Sequence, residues 1–221
     1  MTAANMRDMP IKQARKLGTV VVEKIINELN GISCIPLEDA PPTRKGTAVT
    51  RSFGKPVTSY DGLKEAILTH CARGAEKLRN HGLVAGRLSI FINTSRYRDT
   101  RQYFNKASIS LSPMTNSTDT LIKQAVQLLN NIYLDGIEYG KAGIFLDDLC
   151  LESEKPLHLF ENESPKNKEL MAALDKINKI HGKQSIQYAG MGIQKKWQTK
   201  SLNRSPRYTT QINEVPIAYA R

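Results

Sequence analysis

Six polar or basic side chains, Asn93, Thr94, Ser95, Arg96, Arg98 and Arg101, fall within nine residues, with Tyr97 among them and Tyr103 just beyond. Hydroxyls, a carboxamide and guanidinium forks are the donors that hold phosphate oxygens in register, so the cluster suits gripping a polyanion. Arg51, Ser52, Lys106 and Lys141 lie on or beside neighbouring strand-like runs and extend the same set. Contacts to phosphate position a nucleic acid without reading its sequence, and they make binding steeply dependent on salt.

No set of residues for bond-making chemistry stands beside it. The histidines 70, 81, 158 and 181 and the cysteines 34, 71 and 150 show no close pairing of the kind zinc requires. His70 falls on the apolar side of a helical run and reads as a core histidine with its hydrogen bonds satisfied. A Ser-His-Asp set would need a nucleophile elbow, and none is present. Gly190-Met191-Gly192 lacks the third glycine and the strand-turn-helix setting of a phosphate loop. Asp147-Asp148 is the one close carboxylate pair suited to Mg²⁺, but it ends a strand and opens an acidic stretch, which reads as a solvated turn. The residues therefore name no catalytic group, no metal and no cofactor.

The elements that must position the basic cluster follow from hydrophobic periodicity. Thr47 to Phe53 is a β-rich run, and from Asp61 the positions Leu63, Ala66, Ile67, Cys71, Ala75 and Leu78 keep helical spacing until His81-Gly82. Leu88 to Ile92 reads as a strand, and the next alternates around Ala107, Ile109 and Leu111. Ser117 is placed to cap a helix whose core face is Leu121, Ala125, Leu128, Leu129 and Ile132; Ala142 to Leu146 is the last strand. The order β-α-β-β-α-β predicts an α+β split βαβ sandwich, two helices on one face of a four-stranded sheet and the other face free for the cations.

Flanking this unit, residues 10–29 read as one helix with the stripe Val21, Val22, Ile25, Ile26 and Leu29, stopped by Asn30-Gly31. Asp147 to Lys168 reads as an acidic flexible linker, broken by the apolar island Pro156-Leu157-His158-Leu159-Phe160, which suits docking of Leu and Phe anchors into a partner's pocket. Residues 168–181 read as a short helix, followed by a strand at Ser185–Tyr188 and a glycine-punctuated basic tail. The expected divisions are a helical segment 1–33, a linker 34–46, the sheet domain 47–149, the acidic linker 150–167 and a C-terminal region 168–221.

Composition agrees with a polyanion partner. The 221 residues carry 32 Lys+Arg against 21 Asp+Glu, a net charge of +11, and such a balance favours nucleic acid. Three scattered cysteines point to a reducing compartment, MTAANMRDMP has no apolar core of a signal peptide, and no run approaches a membrane span. A cytoplasmic protein with no membrane partner is expected.

Arg51-Ser52-Phe53-Gly54, the CARGAEKLR helix (71–79), FINTS (91–95) and KAGIFLDDL (141–149) resemble the little-finger domain of Y-family translesion DNA polymerases. AGMGIQKKWQ (189–198) with SPRYTT (205–210) is similar to the C-terminal region of the UmuC-type branch, and residues 14–34 are similar to the end of its thumb. The resemblance implies a domain that lays its sheet along damaged primer-template DNA in SOS mutagenesis. It implies a sliding clamp bound through Pro156, Leu157, His158, Leu159 and Phe160, although the family motif there begins with glutamine. A UmuD-type subunit and a recombinase filament are the further partners it implies. The family's palm, which supplies the carboxylates for Mg²⁺, has no counterpart in these residues, so the chain is expected to hold DNA without synthesis of its own. Two other readings stay open. One is a regulatory module competing for the clamp or the UmuD-type partner, and the other is a polymerase completed in trans by a separate palm.

Overall fold

The computed structural model describes residues 2–37, 43–156, 165–199 and 204–218. They form two compact units, Met1–Thr43 and Arg44–Arg221.

In the first unit a short helix α1 (Ala3–Arg7) precedes α2 (Ile11–Leu29). The single helix expected from the apolar stripe is kinked: Gly18 and Thr19 leave helical geometry, and Thr19 has φ of +63°. A Cβ at Gly18 would collide with the Val22 side chain, so the kink leaves little room for one there. Ala14 and Ile26 are buried, whereas Leu17, Val20, Val21, Ile25 and Leu29 are exposed. Asn30 ends α2, and Gly31 takes the left-handed conformation that glycine adopts most readily.

The second unit carries the predicted βαββαβ order: β1 (Gly46–Val57), α3 (Tyr60–Asn80), β2 (Leu83–Thr94), β3 (Phe104–Thr115), α4 (Thr118–Ile132) and β4 (Tyr139–Leu151). The strands form one antiparallel sheet in the order β1-β4-β2-β3. Each βαβ crossover is thus split by a strand from the other half. The core fills the space between the sheet and two helices. Leu88, Ile90 and Ile92 of β2 and Ala142, Ile144 and Leu146 of β4 meet Leu63, Ile67, Ala75 and Leu78 of α3 and Leu121, Ala125, Leu129 and Ile132 of α4. Gly74 lets α3 settle onto β4, since a Cβ there would stand 2.9 Å from both Ile144 Cδ1 and Leu146 Cδ1.

Three local expectations are corrected. The strands run 12 or 13 residues, well beyond the stretches expected, and β4 takes in Asp147 to Leu151, so the Asp pair is strand and not a solvated turn. Ser117 occupies the cap position of α4, yet its hydroxyl makes no capping bond and instead accepts from Asn167 Nδ2 at 3.3 Å. Ser185–Tyr188 is no strand, because its backbone finds a side-chain partner instead: the amide of Asn178 accepts from Ile186 N–H (2.9 Å) and donates to Ile186 C=O (3.0 Å).

The C-terminal region begins with α5 (Pro165–His181) and packs on α3 within the same unit. Arg79 donates to both Asp175 oxygens (2.6 and 2.8 Å), to Asn116 C=O (2.8 Å) and to Thr118 Oγ1 (3.0 Å), tying α3, the start of α4 and α5 together. Farther on, Trp197 is buried edge-on against Phe53 and His70. Gly54 N–H donates to Trp197 C=O at 3.1 Å and Thr199 Oγ1 donates to Ser52 C=O at 3.1 Å, so the tail lies along the edge of β1.

Candidate nucleic-acid interface

Alternation along the paired strands sends one set of side chains to the helices and the other to the uncovered face. Register arranges the uncovered set in cross-strand rows, ordered β1, β4, β2, β3. The first row is Ser52, Lys141, Asn93 and Phe104; the second is Thr50, Gly143, Phe91 and Lys106. The third is Ala48, Phe145, Ser89 and Ser108; the fourth is Gly46, Asp147, Arg87 and Ser110. Lys106 and Lys141 therefore stand on this face as expected.

Beside the first row, the β2–β3 loop closes a cleft of about 450 Å³ lined by Ser52, Asn93, Thr94, Ser95, Arg96, Arg98, Glu138, Gly140 and Lys141 among others. Fold pairing thus gathers seven of the ten expected donors, from β1, β2, the loop and β4. Arg101 lies exposed on the same loop and Lys106 one row away.

Gln102 shapes the loop. Its amide donates to the carbonyls of Ser95 (3.2 Å), Arg98 (3.1 Å) and Thr100 (3.0 Å), while its Oε1 accepts from Thr94 Oγ1 at 3.1 Å. Gly140 lets the loop approach β4, because a Cβ there would sit 2.9 Å from the Ser95 nitrogen. Arg98 reaches Glu138 at 3.7 Å, and Arg87 pairs with Asp148 at 3.2 Å. Arg96, Arg101, Lys106 and Lys141 have no carboxylate partner among the described residues.

Two expected donors are reassigned. Thr94 is buried, and its hydroxyl accepts from Tyr103 N–H (3.0 Å) while bonding Gln102, so it holds the loop and cannot reach a phosphate. Arg51 pairs in register with Ala142, which faces the core. It lines a different cleft, of about 590 Å³, on the helix side with Val49, Arg73, Glu76 and Lys183. Of the docking peptide only Pro156 is described, and it is exposed; Leu157 to Phe160 lie outside the described residues.

The groups weighed for chemistry are placed elsewhere. Cys71 is buried in the core, which pushes its thiol up to about 12. His70 is also buried, but neither ring nitrogen has a hydrogen-bond partner, contrary to the satisfied core histidine expected. Burial first, then Arg73 and Arg51, pull its imidazole down to about 4. Among the described residues no group of three or more His, Cys, Asp or Glu could hold a metal ion. No helix among them is long and apolar enough to cross a membrane.

Sequence reasoning missed Gln102, Gly140 and the phenylalanines. Phe104, Lys106 and Ser108 alternate with the apolar Ala107, Ile109 and Leu111, so the signal for a mixed aromatic and basic outer face lay in the same period.

Residues 44–159 match the impB/mucB/samB family C-terminal domain. The chain belongs to the impB/mucB/samB family. Its members here are UmuC-like subunits of the Y-family polymerases, and the match falls on their C-terminal part. Residues 168–218 match a domain of unknown function (DUF4113). Protein SamB of Salmonella typhimurium is 40% identical over 207 residues, 92% of this chain and 49% of that protein. Protein MucB of Escherichia coli is 40% identical over 208 residues, again 92% and 49%. Protein UmuC of Salmonella typhimurium is 34% identical over 217 residues, 97% of this chain and 51% of the relative. The chain spans about half the length of the curated relatives it matches.

Proposed function

We propose that this chain is the DNA-holding and partner-docking part of an error-prone translesion polymerase of the UmuC type, acting in the cytoplasm during SOS mutagenesis. The observation that carries the reading is the cleft at the uncovered sheet edge, where Ser52, Asn93, Ser95, Arg96, Arg98 and Lys141 converge from four chain segments. Hydroxyl, amide and guanidinium donors around a groove with little acid are suited to the sugar-phosphate backbone of damaged primer-template DNA, not to base edges. In this reading nucleotide transfer and its Mg²⁺ ions lie outside the described residues. Pro156, Leu157, His158, Leu159 and Phe160 dock a sliding clamp, while a UmuD-type subunit and a recombinase filament are the other partners.

The test is fluorescence anisotropy of labelled primer-template DNA with the full chain. Arg96→Ala with Lys141→Ala should weaken every duplex sequence alike. Loss confined to one sequence would mean base readout, and failure of the unaltered chain to bind any DNA would refute the reading.

A further inference from the structure

Three of the chain's five phenylalanines, Phe91, Phe104 and Phe145, stand on the sheet face that no described helix of the second unit covers. They run diagonally across it, one on each of β3, β2 and β4 in successive rows. Phe91 is the foundation. It is 8% exposed and lies across Gly143, where a Cβ would come within 2.7 Å of its ring. Phe104 lies 6.5 Å and Phe145 5.5 Å from it, tilted by 34° and 33°, so the three rings are closer to parallel than to edge-on. Phe104 is 69% exposed and Phe145 half-buried. Lys141 Nζ stands 5.8 Å from the Phe91 centroid and Lys106 Nζ 5.1 Å from that of Phe145. Around the rings the floor is low: Ala48, Thr50, Ser52, Ser89, Ser108 and Ser110.

We infer that this face stacks unpaired bases, so that the chain holds single-stranded template as well as duplex backbone. The inference rests on the nucleic-acid reading above and names a further ligand class for it. An exposed ring gains little from a phosphate backbone, and the bases of a duplex are already stacked on one another. Only unpaired bases offer it a free π face. Rows on one face of a strand repeat at about 6.8 Å, a step that an extended strand of nucleotides can follow ring to ring. The flanking lysines select a polyanion over an apolar peptide, and the small hydroxyl side chains leave bases room to lie flat.

The experiment uses the full chain and two oligonucleotides, each carrying 2-aminopurine, in one case unpaired and in the other paired within a duplex. Stacking should quench the unpaired probe on binding and leave the paired probe unchanged. Phe104→Leu keeps an apolar side chain at an exposed position and removes the ring. It should weaken single-strand binding about tenfold or more while duplex affinity stays within twofold. Arg96→Ala should weaken both. Equal loss on both DNAs with Phe104→Leu, or loss on neither, overturns base stacking while leaving the backbone grip standing. No binding of either DNA overturns both readings.

Discussion

Removing Arg96 and Lys141 together should flatten the salt dependence of DNA binding by an amount the ion pairs define. Six cations border the cleft or stand on the uncovered face, but Arg87 is held by Asp148 at 3.2 Å and Arg98 lies 3.7 Å from Glu138. Those two exchange one anion for another on binding. Arg96, Arg101, Lys106 and Lys141 remain, and each phosphate neutralised releases about 0.9 counterion from duplex DNA. Four contacts give a log-log slope of about −3.6, so raising salt from about 50 to about 200 mM should weaken binding roughly 150-fold. With two contacts gone the slope falls to about −1.8 and the loss over the same interval to roughly 12-fold. Anisotropy titrations of a primer-template at four salt concentrations measure both slopes. A double variant with the parent's slope would show that these side chains do not meet phosphate. A parent slope near zero would refute the electrostatic grip as a whole.

Three further outcomes follow from the packing. The imidazole of His70, fully buried, is pulled down to about 4, whereas the unfolded chain takes up that proton near 6.5. Stability is therefore intact above about pH 6.5 and lost as pH falls toward 4, by about 3 kcal/mol; denaturant melts of His70→Phe should lack this component, and an unchanged pH profile would sink the argument. Arg79→Ala leaves Asp175 largely buried without its cation, at a cost of about 3 kcal/mol. Limited proteolysis should then cut after α5, and resistance equal to the parent's would contradict the tie. Gly54→Ala would set a Cβ 2.8 Å from Gln198 C=O and 3.0 Å from Thr199 Cα, backbone that cannot yield. Trp197, the only tryptophan, should then leave its burial, seen as a red shift of fluorescence, and an unshifted spectrum would mean the tail docks without that edge.

Much of the scaffold was legible because burial imposes a period. The apolar positions at 121, 125, 128, 129 and 132 are all buried in α4, and Leu88 to Ile92 and Ala142 to Leu146 are the central strands. Strand ends were not legible: Leu83 to Ala85 of β2 and Leu149 to Leu151 of β4 pair with one another, but Gly86-Arg87 and Asp147-Asp148 cut them off from the apolar runs. The kink at Gly18-Thr19 was hidden too, since an apolar stripe continues across a break in the helix. The Ser185–Tyr188 strand failed because Asn178 bonds the backbone of Ile186 from eight residues away, a pairing no propensity describes.

The residues near the basic loop gather around one cleft, yet geometry divides their roles. Two residues before Arg51 stands Val49, and strand parity alone sets both on the helix side. Thr94 looked like a donor for phosphate by type, but as the last residue of β2 it is turned inward to close the loop through Gln102 and Tyr103.

Element order, the apolar faces and the excess of base are written in local composition and period, so they can be read along the chain. Which cations share a surface, and that Phe91, Phe104 and Phe145 lie side by side, emerge only from the folded sheet. Those outcomes depend on strand order and register, which place Lys141 beside Asn93 and Phe91 over Gly143. Pairing partners are set by the packing of the whole sheet against its helices, and no single segment contains that information.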